Sequence, residues 1–208
     1  MRSVMTDLRE WIAPRYLDAK RVARAYRTAK PFPHITMQGF LRDEKARFVH
    51  LALDEEQFIP KESDLMRREE TGDFIVADKE MLQQLRAAFA SKEMCEYVRV
   101  LTGAPIIGRQ LDMRGTRYTD TGYLLCNVGY PPGARVTYSF SVCPRLVAKD
   151  GGALVLYDSR RGRPGKTVKR IFPMWNTLTL YAASPKNWHA VEEVLGQKAR
   201  LSIDGWFH

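Results

Sequence analysis

The stretch Tyr118-Thr-Asp-Thr-Gly-Tyr-Leu-Leu-Cys-Asn-Val-Gly129 is the most informative part of the chain. It is rich in aromatic and branched residues and ends at the turn Tyr130-Pro-Pro-Gly133, which is typical of an extended segment entering a sheet. Alternate side chains of a strand share a face, so Asn127 and Gly129 should point the same way. Two ligating residues at this spacing, completed by a distant histidine, would build a facial iron triad. Here the first position is Asn127, whose side chain is a neutral amide, and the second is Gly129, which has no side chain.

The first half of the chain carries helical periodicity. Apolar residues recur at helical spacing in three segments, which are residues 7–29, 43–53 and 79–102. We expect Pro14 to interrupt the first segment, Asp43 to cap the second, and Ser91 to mark the junction of two helices in the third. Between these segments, His34–Gln38 predicts a strand, and Ile59–Phe74 predicts a strand followed by a loop.

From residue 106 onward the chain becomes a succession of short strands. Strand-like runs separated by Gly, Pro or charged turns occupy residues 106–114, 117–127, 135–143, 153–157, 168–172, 177–182, 187–194 and 198–207. Short strands after a helical first half predict an α+β fold, namely a double-stranded β-helix (jelly roll) backed by N-terminal helices. We expect two parts, a basic helical extension over residues 1–30 and a single domain over residues 31–208.

The formal net charge of +9 is concentrated in two places. The first basic patch consists of Arg15, Lys20, Arg21, Arg24, Arg27 and Lys30. The second consists of Arg160, Arg161, Arg163, Lys166, Lys169 and Arg170, in what we expect to be a loop. Concentrated basic patches on a nearly neutral body indicate a polyanionic partner, with nucleic acid first and an anionic membrane second. The alternative is a solvated charged helix and a solubilising loop.

The cysteines and the hydropathy indicate an intracellular protein. Three cysteines in apolar surroundings are typical of reduced core residues rather than of a disulfide framework. No apolar run approaches the roughly 18 residues that a membrane span needs. The Arg-rich, amphipathic N-terminus leaves both a cytoplasmic and a mitochondrial location open, although Asp7, Glu10 and Asp18 argue mildly against a transit signal.

Several motifs, taken together, resemble one family. They are Pro31-Phe-Pro-His-Ile35, Lys61-Glu-Ser-Asp-Leu65 with Thr71-Gly-Asp73, Gly151-Gly-Ala-Leu154, Trp175-Asn176 and Arg200-Leu-Ser-Ile-Asp-Gly-Trp-Phe-His208. From about residue 31 to the end, the sequence is similar to the 2-oxoglutarate- and iron-dependent prolyl hydroxylases of the ribosomal type, which modify a small-subunit ribosomal protein. Eukaryotic members of that family carry a second, catalytically inactive double-stranded β-helix domain, which we expect to be missing here.

The resemblance implies a site in which Fe(II) is held by a His-x-Asp pair and a distal histidine, while an arginine anchors 2-oxoglutarate. His189 matches the distal histidine. Arg200 matches the anchor of the 2-oxoglutarate carboxylate, and Tyr118 matches a tyrosine that also reaches the cosubstrate. The His-x-Asp pair falls on Asn127-Val-Gly129, so two of the three iron ligands are missing from the motif.

Iron chemistry makes this loss important. An Fe(II) centre of this type needs three protein ligands, one of them anionic, whereas Asn127 offers a neutral amide oxygen. Cys126 should face away from Asn127, which makes it a poor substitute. Asp112 and Asp120 are conceivable donors from nearby strands. The anion pocket is a separate matter, because Arg200 would still form a bidentate pair with a carboxylate unless it only satisfies buried neighbours on its strand.

Three functional hypotheses stay open. The first is a catalytically degenerate protein, or pseudoenzyme, that has no cofactor and serves as a structural or binding component of a ribosome, a mitochondrial ribosome or another ribonucleoprotein, with rRNA or ribosomal proteins as partners. The second is an atypical but active dioxygenase that uses Fe(II) and 2-oxoglutarate to hydroxylate a prolyl residue of a ribosomal protein or a small molecule. The third is a metal-free sensor that binds a carboxylate through Arg200 and Tyr118. No oligomeric state is predicted.

Overall fold

The computed structural model describes residues 7–107, 110–144 and 146–208. Its α-helices are α1 Leu8–Trp11, α2 Ala19–Thr28, α3 Asp43–Asp54, α4 Glu80–Phe89 and α5 Lys92–Thr102, with 3-10 turns at Pro14–Tyr16, Phe74–Val76 and Ala148–Asp150. Its strands are β1 His34–Gln38, β2 Ile59–Ser63, β3 Met66–Asp73, β4 Leu111–Tyr118, β5 Tyr123–Asn127, β6 Val136–Ser141, β7 Leu154–Arg160, β8 Arg163–Ile171, β9 Thr177–Ala182, β10 His189–Val191 and β11 Arg200–Phe207. Within the described ranges, no helix is long and apolar enough to cross a membrane.

The strands of the described residues form one antiparallel sheet. Its order is β1-β9-β6-β11-β4-β3-β5-β10-β7-β8, and β2 pairs with β3 outside this path. The two ends of the path approach each other, because Phe32 before β1 and Ile171 at the end of β8 pack in one small apolar cluster with Tyr181. The sheet therefore nearly closes on itself, and the predicted double-stranded β-helix backed by N-terminal helices is confirmed.

Strand β11 has one apolar face and one polar face. Ile203 and Phe207 lie in the main core, where the ring of Phe207 stacks on Phe89 of α4 with ring centroids 6.4 Å apart. Arg200 and Asp204 fall on the alternate positions of the strand, and both line a cavity. The helices thus cover the apolar face of this part of the sheet, while its polar face is left for the cavity.

The described part of the first 30 residues shares the main core. Trp11, Ile12 and Tyr26 are buried in the same apolar cluster as the barrel strands. Backbone hydrogen bonds join this segment to the chain after β1, from the Ala13 N–H to the Phe40 carbonyl and from the Arg42 N–H to the Trp11 carbonyl. The division of the chain at residue 30 stays a prediction, and these contacts argue that the two parts fold together.

Several elements lie where local patterns predict them. The first strand is His34–Gln38, and Ser91 separates α4 from α5. Ser91 caps α5, since its hydroxyl oxygen accepts the backbone N–H of Met94 at 3.1 Å. The expected cap of α3 is wrong, because Arg42 holds the capping position and Asp43 is the first helical residue. The Asp43 carboxylate instead accepts the indole N–H of Trp175 at 3.2 Å.

The segment 106–127 is divided differently from the prediction. Strand β4 continues through Gly115 to Tyr118, and the break comes at residues 119–122. Gly115 sits within the strand because a Cβ there would lie 2.5 Å from the Leu53 side chain. The turn is closed by a hydrogen bond from the Gly122 N–H to the Thr119 carbonyl at 2.8 Å. Tyr118 and Asn127 consequently lie on two different strands rather than on one extended segment.

Two predicted loops are strands. The segment predicted as a strand and a loop over 59–74 is the hairpin β2–β3, and the basic segment 160–170 belongs to the hairpin β7–β8. In the second hairpin Arg160 pairs with Arg163 across a two-residue turn. Arg161 and Gly162 have φ values of 49° and 75°, the geometry that a tight hairpin turn requires. Strand β8 is therefore an exposed, basic edge strand.

Candidate functional site

A cavity of about 450 Å³ lies inside the barrel, between strands β3, β4, β5, β6, β10 and β11. Its wall includes the residues singled out by the sequence, His189, Asn127, Gly129, Arg200 and Tyr118. Because these residues come from four separate strands, closure of the sheet is what brings them together. We take this cavity as the candidate functional site.

His189 is a buried, neutral imidazole. It begins β10, and its Nδ1–H donates to the Asn187 carbonyl at 3.2 Å. The Tyr181 ring packs 5.2 Å from the imidazole centroid. Burial lowers the pKa of His189, because the charged form loses its hydration. In the neutral ring, the bonded Nδ1 holds the proton, so Nε2 carries the free lone pair.

Asn127 lies opposite His189, as their Cα positions are partners across β5 and β10. Its Oδ1 accepts the backbone N–H of Gly129 at 2.6 Å, and its Nδ2 donates to the Leu125 carbonyl at 2.7 Å. A Cβ at position 129 would lie 2.7 Å from this Oδ1. The amide therefore folds over the space that a side chain at residue 129 would need and serves the local backbone.

The donor set does not fit an Fe(II) centre. Among the described residues, no three His, Cys, Asp or Glu side chains converge in a way that could hold a metal ion. Asp112 lies in the cavity wall, but its Oδ2 pairs with His208 Nε2 at 2.7 Å. Asp120, the other conceivable donor, is not part of the cavity wall, and its carboxylate accepts the Gly196 N–H at 2.7 Å. His189 is left without the partners that iron requires.

Arg200 and Tyr118, the residues predicted to bind a carboxylate, both line the cavity. Arg200 and Tyr118 are cross-strand partners on β11 and β4, and the guanidinium carbon lies 5.1 Å from the centre of the Tyr118 ring. Arg200 Nη1 donates to Ser202 Oγ at 2.9 Å and Nη2 to Ser139 Oγ at 3.3 Å. Its Nε is buried and has no partner among the described residues. Two hydroxyls thus orient the guanidinium while one N–H stays unused.

Tyr118 is held in its neutral form. Burial raises the pKa of its phenol, an effect that the nearby cations Arg68 and Arg200 only reduce. The phenol oxygen accepts a hydrogen bond from Arg68 Nη1 at 3.2 Å. Its O–H proton remains to be donated, and a carboxylate held by Arg200 would be a suitable acceptor.

Four charged residues of the cavity wall were missed by the sequence analysis: Arg68, Glu70, Arg114 and Asp204. Arg68 Nη2 lies 2.5 Å from the Glu70 carboxylate, and Arg114 Nη1 lies 3.3 Å from its other oxygen. Asp204 Oδ2 accepts the Ser202 hydroxyl at 3.0 Å, and its buried Oδ1 has no partner in the described part of the chain. The sequence did hold a signal for two of them. Alternate side chains of a strand share a face, so Arg68 and Glu70 could have been expected to point the same way from β3.

The basic residues assigned to nucleic acid differ in their surroundings. Arg15 supports the fold, since its guanidinium donates to the carbonyls of Gln38 at 2.6 Å and Gly39 at 3.1 Å. Of the remaining residues of the first patch, four are exposed on α2 and one follows it, also exposed: Lys20, Arg21, Arg24 and Arg27 on the helix, and Lys30 after it. All six residues of the second patch are exposed on the β7–β8 hairpin. Arg160 and Arg170 there form ion pairs with Asp158 and Glu192.

Comparison with known proteins gives a consistent family signal. Residues 113–208 match the model of the 2OG-Fe(II) oxygenase superfamily. The chain is 31% identical over 186 residues to the prolyl 3-hydroxylase OGFOD1 of Xenopus laevis, covering 86% of this chain and 35% of that protein. It is 36% identical over 135 residues to the prolyl 3,4-dihydroxylase OGFOD1 of Ostreococcus tauri, covering 61% of this chain and 26% of that protein. These similarities support the 2OG-Fe(II) oxygenase superfamily, and the chain spans about a third of the length of the curated relatives it matches.

Solved structures agree on the fold. A Pseudomonas putida prolyl-4-hydroxylase superposes with a TM-score of 0.70 at 16% identity, covering 91% of this chain and 98% of that one. A Trichoplax adhaerens prolyl hydroxylase, solved with a hypoxia inducible factor peptide, gives a TM-score of 0.71 at 15% identity and covers 93% and 90%. At these identities the likeness concerns the fold alone.

Proposed function

We propose that this chain is a catalytically degenerate 2-oxoglutarate oxygenase-like protein that acts by binding rather than by turnover. The observation that carries the proposal is Asn127, which stands opposite His189 and closes its amide over the Gly129 N–H. The superfamily implies Fe(II) and 2-oxoglutarate, whereas these two positions hold neither an imidazole nor a carboxylate.

The expected deficit in metal affinity is large. Fe(II) sites of this class use two histidines and one carboxylate, and only His189 matches. Even changes to groups behind the ligands lower metal affinity or activity roughly 10–100-fold, so loss of two direct ligands should lower it further. Arg200 and Tyr118 still supply a guanidinium and a phenol to a carboxylate. The cavity is then a metal-free pocket for a carboxylate, with no hydroxylation step.

The partner we propose is a ribonucleoprotein, with the ribosome or the mitochondrial ribosome first. The support is the exposed basic face of α2 and the exposed basic hairpin β7–β8, together with the resemblance to hydroxylases of the ribosomal type. Basic surfaces of this kind bind phosphate backbones through counterion release. Sedimentation of the purified protein with ribosomal particles and with rRNA at moderate salt tests this. Absence of binding to both removes the partner from the proposal.

Restoring the lost ligands tests the degenerate iron site. We expect the wild-type protein to bind no stoichiometric Fe(II) and to form no succinate beyond a His189→Ala control. The double variant Asn127→His/Gly129→Asp should gain Fe(II) binding, measured by metal analysis and titration, and lose it again when His189→Ala is added. Both changes are needed together, because a Cβ at residue 129 would lie 2.7 Å from the present Asn127 Oδ1.

The second candidate is an atypical active dioxygenase acting on a prolyl residue of a ribosomal protein or on a small molecule. The relatives' names, prolyl 3-hydroxylase and prolyl 3,4-dihydroxylase, favour it. It requires an anionic ligand from another position, and Asp112 and Asp204 are the aspartates in the cavity wall. Two results would favour the active dioxygenase over the catalytically degenerate protein. They are stoichiometric iron in the wild-type protein that disappears in His189→Ala, and iron-dependent formation of succinate.

A further inference from the structure

We infer that the cavity binds a small zwitterion, a molecule that carries one carboxylate and one ammonium group, with apolar α-amino acids as the class. The inference rests on the proposed function, since it names the ligand of the same pocket. It is carried by two charged residues on one face of β11, Arg200 and Asp204, each of which has one buried polar atom without a partner among the described residues. A zwitterion carries one charge of each sign and can pair with both residues. A dicarboxylate carries only negative charges and can pair with Arg200 alone.

The anionic end of the ligand is assigned to Arg200. This side chain is buried, with the residue 3% exposed, and its Nε–H has no partner among the described residues. Hydrogen bonds to Ser202 and Ser139 hold its plane, which prepares the Nε edge for a carboxylate. The neutral phenol of Tyr118 supplies a further donor beside the guanidinium.

The cationic end is assigned to Asp204. One of its oxygens accepts the Ser202 hydroxyl, while the other is buried and unpartnered in the described part of the chain. Two cations of the wall lie near Asp204, and both pair with Glu70: Arg114, its cross-strand neighbour, at 3.3 Å, and Arg68, which also interacts with Asp204 through its charge, at 2.5 Å. A buried carboxylate oxygen without a partner costs free energy, which a ligand ammonium would recover.

The spacing of the two ends suits a compact ligand. Ser202 Oγ lies 2.9 Å from Arg200 Nη1 and 3.0 Å from Asp204 Oδ2, so a single hydroxyl separates the cation from the carboxylate. An α-amino acid carries its two charges on adjacent carbon atoms, and a ligand of this compact class is the one we assign to the two neighbouring residues. Leu154, Val191 and Tyr181 form another part of the wall, and they would contact an apolar side chain.

Asp204 also acts against dicarboxylates. A molecule with a carboxylate on Arg200 and a second carboxylate directed towards Asp204 would bring two like charges together in a buried space, which is unfavourable. The pocket should therefore prefer an apolar amino acid over 2-oxoglutarate. This preference separates the inference from binding of a carboxylate in general.

A matched ligand series tests the assignment. Isothermal titration compares L-leucine with 4-methylpentanoate, which lacks the ammonium group, with isopentylamine, which lacks the carboxylate, and with 2-oxoglutarate. We expect L-leucine to bind at least tenfold more tightly than each of the others. Asp204→Asn should remove most of that advantage while leaving 4-methylpentanoate equal or tighter, and Arg200→Gln should weaken both acids.

The control variant is Asp158→Asn, a carboxylate on the β7–β8 hairpin outside the cavity wall, which should change none of these affinities. Thermal unfolding of each variant identifies any loss of folding. Equal binding of L-leucine and 4-methylpentanoate, unaffected by Asp204→Asn, would overturn the zwitterion while keeping the carboxylate pocket. Failure of all three acids to bind the folded wild-type protein would overturn the pocket itself, independently of the iron titration.

Discussion

Individual residues decide the chemistry of the cavity, while the pairing of the strands decides which residues meet there. His189 still faces the position of Asn127 across β5 and β10, although the residue there offers an amide. That amide bonds to the Gly129 N–H and the Leu125 carbonyl, so it has a structural role of its own. The strand pairing therefore places an amide beside the imidazole, and the chemistry of the site depends on these two side chains.

The buried histidines predict a loss of stability in mild acid. Burial lowers the pKa of both His189 and His34 below the ordinary value near 6.5. Below that pH the unfolded chain takes up protons that the folded protein refuses, so stability is constant above about pH 6.5 and falls as the pH drops towards the lower folded pKa. We expect the free energy of unfolding to be lower at pH 5.5 than at pH 7, with each buried histidine contributing to the loss.

Urea unfolding of the wild-type protein, His189→Gln and His34→Gln across this pH range measures the effect. Each substitution should flatten the pH dependence by its own share, since glutamine does not titrate. A wild-type slope that neither variant reduces would show that other groups govern the acid response.

At the scale of elements, local patterns predicted best where one residue sets a boundary. Ser91 marks the start of α5 through its capping hydrogen bond, and His34–Gln38 is bounded by prolines and glycine. The hairpin β7–β8 was missed because its outer strand is polar and exposed on nearly every residue, which leaves no alternation to read. The contact of Arg68 with Tyr118 was equally hidden, because it depends on how β3 lies beside β4, whereas Glu70 and Ser202 are reached two residues along the same strand by Arg68 and Asp204.

The two basic elements make a prediction that separates partner binding from edge protection. Charged residues also occur on exposed edge strands simply to prevent pairing with another chain. The slope of the logarithm of the binding constant against the logarithm of the salt concentration counts phosphate contacts, with roughly 0.7–0.9 for each contact. If the elements bind RNA, neutralising three cations on either one should make this slope smaller in magnitude by about two. The variants are Arg163→Gln/Lys166→Gln/Lys169→Gln on β8 and Lys20→Gln/Arg21→Gln/Arg24→Gln on α2.

Affinity for an rRNA fragment at several salt concentrations is the measurement, and Arg47→Gln, which removes an exposed cation paired with Asp43 on α3, is the control. A hairpin variant that keeps the wild-type slope but self-associates would assign β8 to edge protection. Unchanged slopes in both triple variants would remove these elements as an RNA surface.

For the whole molecule, the order of predicted helices and strands was enough to predict the fold class. It was not enough to predict whether the first 30 residues fold together with the barrel. Helical periodicity over residues 7–29 indicated an amphipathic segment without saying what its apolar face would contact. Trp11 and Tyr26 turn out to be buried against the barrel's own core, which only the tertiary packing reveals.

The stability of the whole fold should therefore depend on the N-terminal segment. Trp11 is 4% exposed, so Trp11→Ala removes a large buried side chain. The change also removes the contact of the indole ring with Lys45 Nζ of α3, which lies 4.8 Å from the ring centre. Such changes destabilise by about 3–5 kcal/mol, which is a large share of the stability of a typical domain. Phe48→Ala, at a residue 48% exposed on α3, is the matched control and should cost far less.

Urea unfolding monitored by circular dichroism compares the two variants. Equal midpoints for Trp11→Ala and the wild type would mean that residues 1–30 form an independent extension, whereas a single shifted transition would make them part of one cooperative domain.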